Sequence, residues 1–181
     1  MRARQRVSKN KKKSSTAQRK TPARANDSAL RKQLIELLRG RGAHADFDEA
    51  IEGLPEALRG ASAKDPPFTP WRLLEHLRLA QWDILEFSRN PKHKSPAWPE
   101  GYWPEADAPP NSGAWDASVA AFRRDLGEME KLVRDPSSDL FTPFSWGQGQ
   151  TLLREAMLVA DHNSYHAGQL ILLRRVLGAW K

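Results

Sequence analysis

Histidines are the residues of this sequence best suited to chemistry, because three of the five combine helical spacing with an inward position. His162 and His166 are four residues apart in the segment DHNSYHAGQL, so a helix places both imidazoles on one face. His76 lies on the inward stripe of another predicted helix. Imidazoles that converge from two helices can hold one metal ion and leave coordination positions open, which is typical of catalytic sites.

The ligand type narrows the ion and its surroundings. Neutral imidazoles favour Zn(II) or Ni(II), with Fe(II) or Mn(II) as alternatives, and buried polar packing without a metal is the competing interpretation. Glu155 and Gln169 share the inward stripe of the last helix, where either could orient a ligand or form an interhelical hydrogen bond. His44 could reach the site as a base or substrate contact, although a surface position is favoured. His93, in the Pro-rich segment PKHKSP, is predicted to be exposed.

Other common site chemistries lack their residues. No histidine follows a glutamate by three positions, which excludes the paired Glu-x-x-His motif of di-iron bundles. The sequence contains neither H-E-x-x-H nor G-x-S-x-G. Because it also contains no cysteine, disulfides, thiolate zinc sites and a catalytic thiol are excluded.

Helical periodicity predicts the elements that must position these residues. Asp27 is a suitable N-cap for the first helix, and Thr69 with the following Pro70 is a strong start for another. Gly178 is predicted to end the last helix. Helices are predicted at residues 28–39, 44–54, 70–89, 115–134 and 151–177. No alternating strand pattern occurs, so the predicted fold is all-α: an up-and-down four-helix bundle with one long crossover loop.

The crossover loop spans residues 90–112 and contains six of the thirteen prolines. Long loops inside compact domains are often functional or cross over a bundle end. Three tryptophans in loops are predicted to cover the bundle end rather than to line a pocket: Trp98, Trp103 and Trp146. Trp71 and Trp82 lie off the centre of their helical stripe, which is consistent with a contact between helices or in a homodimer.

Charge is unevenly distributed over the 181 residues. Residues 1–27 contain ten of the 29 Lys and Arg residues and one of the 22 acids, so the remaining chain is close to neutral. This segment is predicted to be a disordered basic tail, and residues 28–180 a single domain. A solubilising extension is favoured over contact of the tail with nucleic acid. Neither a secretory signal nor a membrane-spanning run is found, so a cytoplasmic protein is expected.

The segments LLEHLRLAQWDILEF, around His76, and DHNSYHAGQL together resemble the DinB/YfiT-like superfamily of metal-dependent four-helix bundles. The resemblance covers about residues 28–180 and leaves the tail outside. It implies a metal-binding triad at His76, His162 and His166. Relatives include bacillithiol- or mycothiol-dependent S-transferases, a thiol-dependent isomerase and some metal-dependent hydrolases.

The resemblance therefore implies a divalent-metal protein that acts on a small molecule, with transfer of a low-molecular-weight thiol as the leading hypothesis. The lack of cysteine fits a nucleophile that arrives with the cosubstrate. One alternative is a non-enzymatic metal-binding stress-response module that forms a homodimer. Another is a nucleic-acid-associated protein that uses its basic tail.

Overall fold

The structure is a computed structural model that describes residues 22–63 and 68–180. Its α-helices are α1 (Pro22–Leu38), α2 (Phe47–Ile51), α3 (Pro70–Arg89), α4 (Ala114–Arg134) and α5 (Leu152–Val176). Two short 3₁₀ helices, Glu56–Leu58 and Glu100–Tyr102, lie in the connections, and no strand occurs in the described ranges. The all-α prediction is confirmed, and the four long helices α1, α3, α4 and α5 pack as a bundle.

Two hydrophobic clusters show how the helices run. One cluster joins α1 to the C-terminal half of α3 (Leu85), the end of α4 (Val133) and the start of α5 (Leu152). The other joins α2 to the start of α3 (Leu73), the start of α4 (Trp115) and the C-terminal half of α5. Helices α3 and α4 are therefore parallel and α5 is antiparallel to both. The long crossover is needed because it returns the chain to the end at which α3 began.

Side-chain caps explain several helix boundaries. Thr69 accepts a hydrogen bond from the amide of Arg72, and Thr151 accepts one from the amide of Arg154, as expected for N-caps. Gly178, just beyond α5, has a φ of +71°, the left-handed conformation that favours glycine. The predicted starts of α3 and α5 are thus confirmed within one residue.

The N-terminal helices differ from the prediction. Helix α1 begins at Pro22, so Asp27 is not its N-cap but lies inside it, where its carboxylate pairs with Arg31 one turn later. Residues 22–27 of the segment predicted to be disordered are therefore helical, and residues 1–21 lie outside the described residues. Helix α2 is shorter than the predicted 44–54, because Asp46 and Glu49 form a capping box that starts it later. Trp71 is 5% exposed and packs in the cluster that joins α2, α3 and α5, which fits the predicted contact between helices.

Candidate metal centre

Three histidines meet between the two hydrophobic clusters. His76 projects from α3, and His162 and His166 from consecutive turns of α5. The Nε2 atom of His76 lies 3.1 Å from the Nε2 atom of His162 and 3.1 Å from that of His166. We call these residues the histidine cluster. The four-residue spacing on α5 and the antiparallel packing of α3 against α5 together produce this convergence.

Hydrogen bonds orient two of the imidazoles. The Nδ1 atom of His76 lies 2.9 Å from the backbone carbonyl oxygen of Tyr102, and the Nδ1 atom of His166 lies 2.7 Å from Oε1 of Gln169. Both oxygens can only accept, so each Nδ1 atom carries the hydrogen. In the neutral rings the Nε2 atoms of His76 and His166 therefore have free lone pairs that face each other. This contact lacks a hydrogen and is not a hydrogen bond.

The donor set fits a divalent cation. Imidazole nitrogens bind zinc at about 2.0–2.1 Å, so neighbouring nitrogens around one ion are roughly 2.9–3.4 Å apart. The two Nε2 separations of 3.1 Å fall within this range. The ligand atoms of all three histidines lie within 4.8 Å of one another. The cluster can hold a divalent metal and would leave further coordination positions to other ligands.

Burial keeps the histidine cluster neutral. Desolvation, helped by the neighbouring imidazoles, lowers the pKa of His162 to about 3. Desolvation and the proximity of His76 lower the pKa of His166 to about 4. Desolvation also lowers the pKa of His76, against the opposing effect of the Tyr102 carbonyl. Near neutral pH all three rings are therefore unprotonated, which is the form that binds a metal.

An aromatic wall closes one side of the histidine cluster. The indole ring of Trp103 stacks on the His76 imidazole at 3.9 Å between centroids, with 2° between the ring planes. Phe68 also stacks on Trp103, at 5.1 Å between centroids. Sequence reasoning assigned Trp103 to covering the bundle end and missed this contact. Its only signal was an aromatic pair, Tyr102 and Trp103, in a long Pro-rich loop.

Asp83 fastens this loop to α3. Its two carboxylate oxygens contact the Tyr102 hydroxyl and the His93 Nε2 atom, each at 2.6 Å. The prediction that His93 is exposed is wrong: its side chain is 8% exposed, because it bonds to the buried carboxylate of Asp83. Burial is the main cause that raises the pKa of Tyr102 to about 12, and the hydrogen bond to the Asp83 carboxylate adds to it. Tyr102 is therefore bonded to Asp83 through its hydroxyl and to His76 through its backbone carbonyl.

The remaining sequence candidates lie in different surroundings. Gln169 contacts His166 directly, as described above. Glu155 is buried on α5 two turns before His162, and its carboxylate pairs with Arg154 rather than with a histidine. Burial raises the pKa of Glu155. His44 is exposed, and its Nδ1 atom contacts the carbonyl of Ala45. The structure thus brings Gln169, but neither Glu155 nor His44, into hydrogen-bond contact with the histidine cluster.

The fold and the site together define a class of protein: an all-α bundle in which α3 and α4 are parallel, with a candidate metal centre of three neutral histidines. A family model of the DinB superfamily matches residues 36–170, most of the chain, and the chain belongs to this superfamily. No curated protein and no solved structure matches it. Within the described residues, no helix is both long and apolar enough to cross a membrane.

Proposed function

We propose that this protein binds one divalent metal ion through His76, His162 and His166 and uses it in a reaction on a small molecule. The observation that carries the proposal is the pair of unprotonated Nε2 atoms of His76 and His166, 3.1 Å apart with facing lone pairs. Facing lone pairs repel each other unless a cation lies between them. Zn(II) or Ni(II) suits this all-imidazole donor set best, and Fe(II) or Mn(II) are the alternatives to compare.

The reaction that we propose is the transfer of a low-molecular-weight thiol. A divalent metal held by these histidines would supply Lewis acidity, which would lower the pKa of a bound thiol and favour its thiolate near neutral pH. The chain has no cysteine, so the nucleophile is expected to arrive with the cosubstrate. The carbonyl of Tyr102 and Oε1 of Gln169 hold two imidazoles in the required tautomer. Trp103 excludes water from one face of His76.

The proposal predicts that metal content depends on the histidine cluster. Wild-type protein, purified without a histidine tag, should contain about one metal ion per chain. His76→Ala should lose most of the metal because its imidazole contacts both other ligands. His44→Ala is the matched control, since this exposed histidine lies outside the cluster and should leave the metal content unchanged. Elemental analysis with circular dichroism measures occupancy and helical content together.

Equal metal content in wild type and His76→Ala, or no metal in wild type after reconstitution, would refute the metal centre. The thiol reaction has a separate test. Metal-loaded wild type should accelerate the reaction of a low-molecular-weight thiol with an electrophile, and His166→Ala should not. A loaded wild type that is inactive with a panel of such thiols would refute thiol transfer and leave metal binding intact.

A further inference from the structure

Helix α5 carries four of the eight large hydrophobic side chains that are exposed in the described residues. Its exposed positions follow the spacing three, four, four, three, four and three. We call them the α5 outer stripe: Arg154, Met157, Asp161, Tyr165, Gly168, Leu172 and Arg175. This is the spacing of residues that share one face of a helix. The opposite face of α5 already packs on α1, α2 and α3.

The apolar residues of the α5 outer stripe are large and open to solvent. Tyr165 is 64% exposed, Leu172 55% and Met157 50%. Val176, beside the stripe, is 57% exposed. Single exposed apolar residues are ordinary, but several along one side of a helix indicate an interaction surface.

The charges at the two ends of the stripe are arranged for self-pairing. Asp161 lies seven residues before Gly168, and Arg175 lies seven residues after it. Neither side chain forms an ion pair with another described residue. If two copies of α5 cross antiparallel at Gly168, the Asp161 of each copy meets the Arg175 of the other. A partner of uniform charge would leave one of the two groups unmatched, so the stripe is complementary to itself.

We propose that two copies of this chain associate through the α5 outer stripe as an antiparallel, two-fold helix pair centred on Gly168. In this arrangement Tyr165 of one copy lies at nearly the same height as Leu172 of the other, so the apolar residues cover each other. A Cβ atom at Gly168 would meet nothing within 4 Å in a single copy. The fold of one copy therefore does not require a glycine there, whereas a second backbone at close range does.

The dimer surface borders the candidate metal centre. The ring of Tyr165 lies 4.9 Å from the imidazole of His166, measured between centroids. Association through the stripe therefore buries a side chain that contacts a proposed metal ligand. The pairing itself does not depend on the metal, because none of the stripe residues belongs to the histidine cluster.

Charge reversal tests the register of the pairing. Wild-type full-length protein should be dimeric in sedimentation equilibrium. Asp161→Arg and Arg175→Asp should each weaken dimerisation by roughly tenfold or more, because each places like charges together at two symmetric positions. The double variant, Asp161→Arg with Arg175→Asp, should restore it. Both positions are exposed, so circular dichroism should show unchanged folding. A monomeric wild type, or a double variant no tighter than the single ones, would overturn the proposal.

The absence of cysteine allows an independent test at the proposed centre. In Gly168→Cys the two new thiols should face each other across the two-fold axis and form an interchain disulfide on mild oxidation. Gly127→Cys, on α4, is the matched control, since a Cβ there also meets nothing within 4 Å. Its disulfide yield should be low. Equal yields in the two variants would contradict the proposed crossing point, whatever their metal content.

Discussion

At the scale of single residues, the histidine cluster depends on two acceptors that are not histidines. The Tyr102 carbonyl accepts a hydrogen bond from Nδ1 of His76, and Oε1 of Gln169 accepts one from Nδ1 of His166. Each bond leaves a lone pair on the Nε2 atom that points into the cluster. The Nδ1 atom of His162 is buried without a hydrogen-bond partner in the described chain. His162 therefore lacks the acceptor at Nδ1 that orients each of the other two rings.

The neutral state of the cluster predicts how the metal-free protein responds to acid. The folded chain holds the pKa of His162 at about 3 and that of His166 at about 4, below the ordinary value of 6.5. At a pH below 6.5 but above these lowered pKa values, the two histidines are protonated in the unfolded chain and neutral in the folded chain. The free energy of unfolding should therefore decrease as the pH falls below 6.5. Urea unfolding of chelator-treated protein from about pH 7 to about pH 5 measures this loss.

His162→Gln is the variant that isolates the histidine contribution. It removes one group that titrates differently in the two states, so its stability should fall less steeply over the same pH range. His44→Gln, at an exposed position, should keep the wild-type slope. A slope in His162→Gln equal to that of wild type would mean that this imidazole does not resist protonation in the folded protein.

At the scale of elements, the loop between α3 and α4 is part of the site. It reverses the chain between two parallel helices, and it carries the carbonyl and the indole that contact His76. Asp83 on α3 holds this loop at two points, the Tyr102 hydroxyl and His93. A loop that is bonded in this way behaves as an ordered wall rather than as a free connection.

Asp83→Ala should loosen this wall. The change removes both hydrogen bonds and leaves the Tyr102 hydroxyl without its acceptor. We expect faster amide hydrogen exchange in residues 90–112 and a metal affinity about 10–100-fold lower, the usual effect of removing a group that orients a ligand. Hydrogen-exchange mass spectrometry and a competitive metal titration measure the two effects.

Glu86→Ala provides the comparison on the same helix. The Glu86 carboxylate bonds to Arg89 near the end of α3 and does not contact the loop, so exchange and affinity should stay at wild-type values. If Asp83→Ala behaved in the same way as Glu86→Ala, the loop would be held by its packing and the Asp83 contacts would be dispensable.

At the scale of the whole molecule, the bundle has a polar band between two apolar clusters. The histidine cluster lies in this band. Beside it, the Asn163 amide donates to Gln81, and the Gln81 amide donates to the carbonyl of Phe122. These buried groups are bonded to each other, which limits the cost of removing them from water. The apolar clusters on either side must supply most of the stability.

Core truncation tests this division. Leu85 is completely buried in the cluster that joins all four long helices, so Leu85→Ala should lower the free energy of unfolding by about 2–5 kcal/mol. Leu37, 48% exposed on α1, is the control, and Leu37→Ala should change stability by less than about 0.5 kcal/mol. Chemical unfolding of the metal-free proteins measures both. Similar losses in the two variants would place the stabilising core elsewhere.

The sequence by itself was enough to predict the features that depend on neighbours along the chain. The stepping of apolar residues by three and four predicted α4 and α5, and Thr69 with Pro70 marked the start of α3. The four-residue spacing of His162 and His166 already placed two candidate ligands on one helical face. His76 could be recognised as inward-facing because burial on a helix follows the same period.

Only the tertiary structure decided the features that join distant residues. The packing of α3 against α5 brought His76 to the other two histidines, and the parallel arrangement of α3 and α4 laid the crossover loop over them. That loop also brought Trp103 and Tyr102 to His76. His93 lies in a polar segment that predicted exposure, but its contact with the Asp83 carboxylate buries it. The physical reason is that local propensity depends on backbone geometry, whereas these contacts depend on how whole helices pack and on which buried polar group finds a partner.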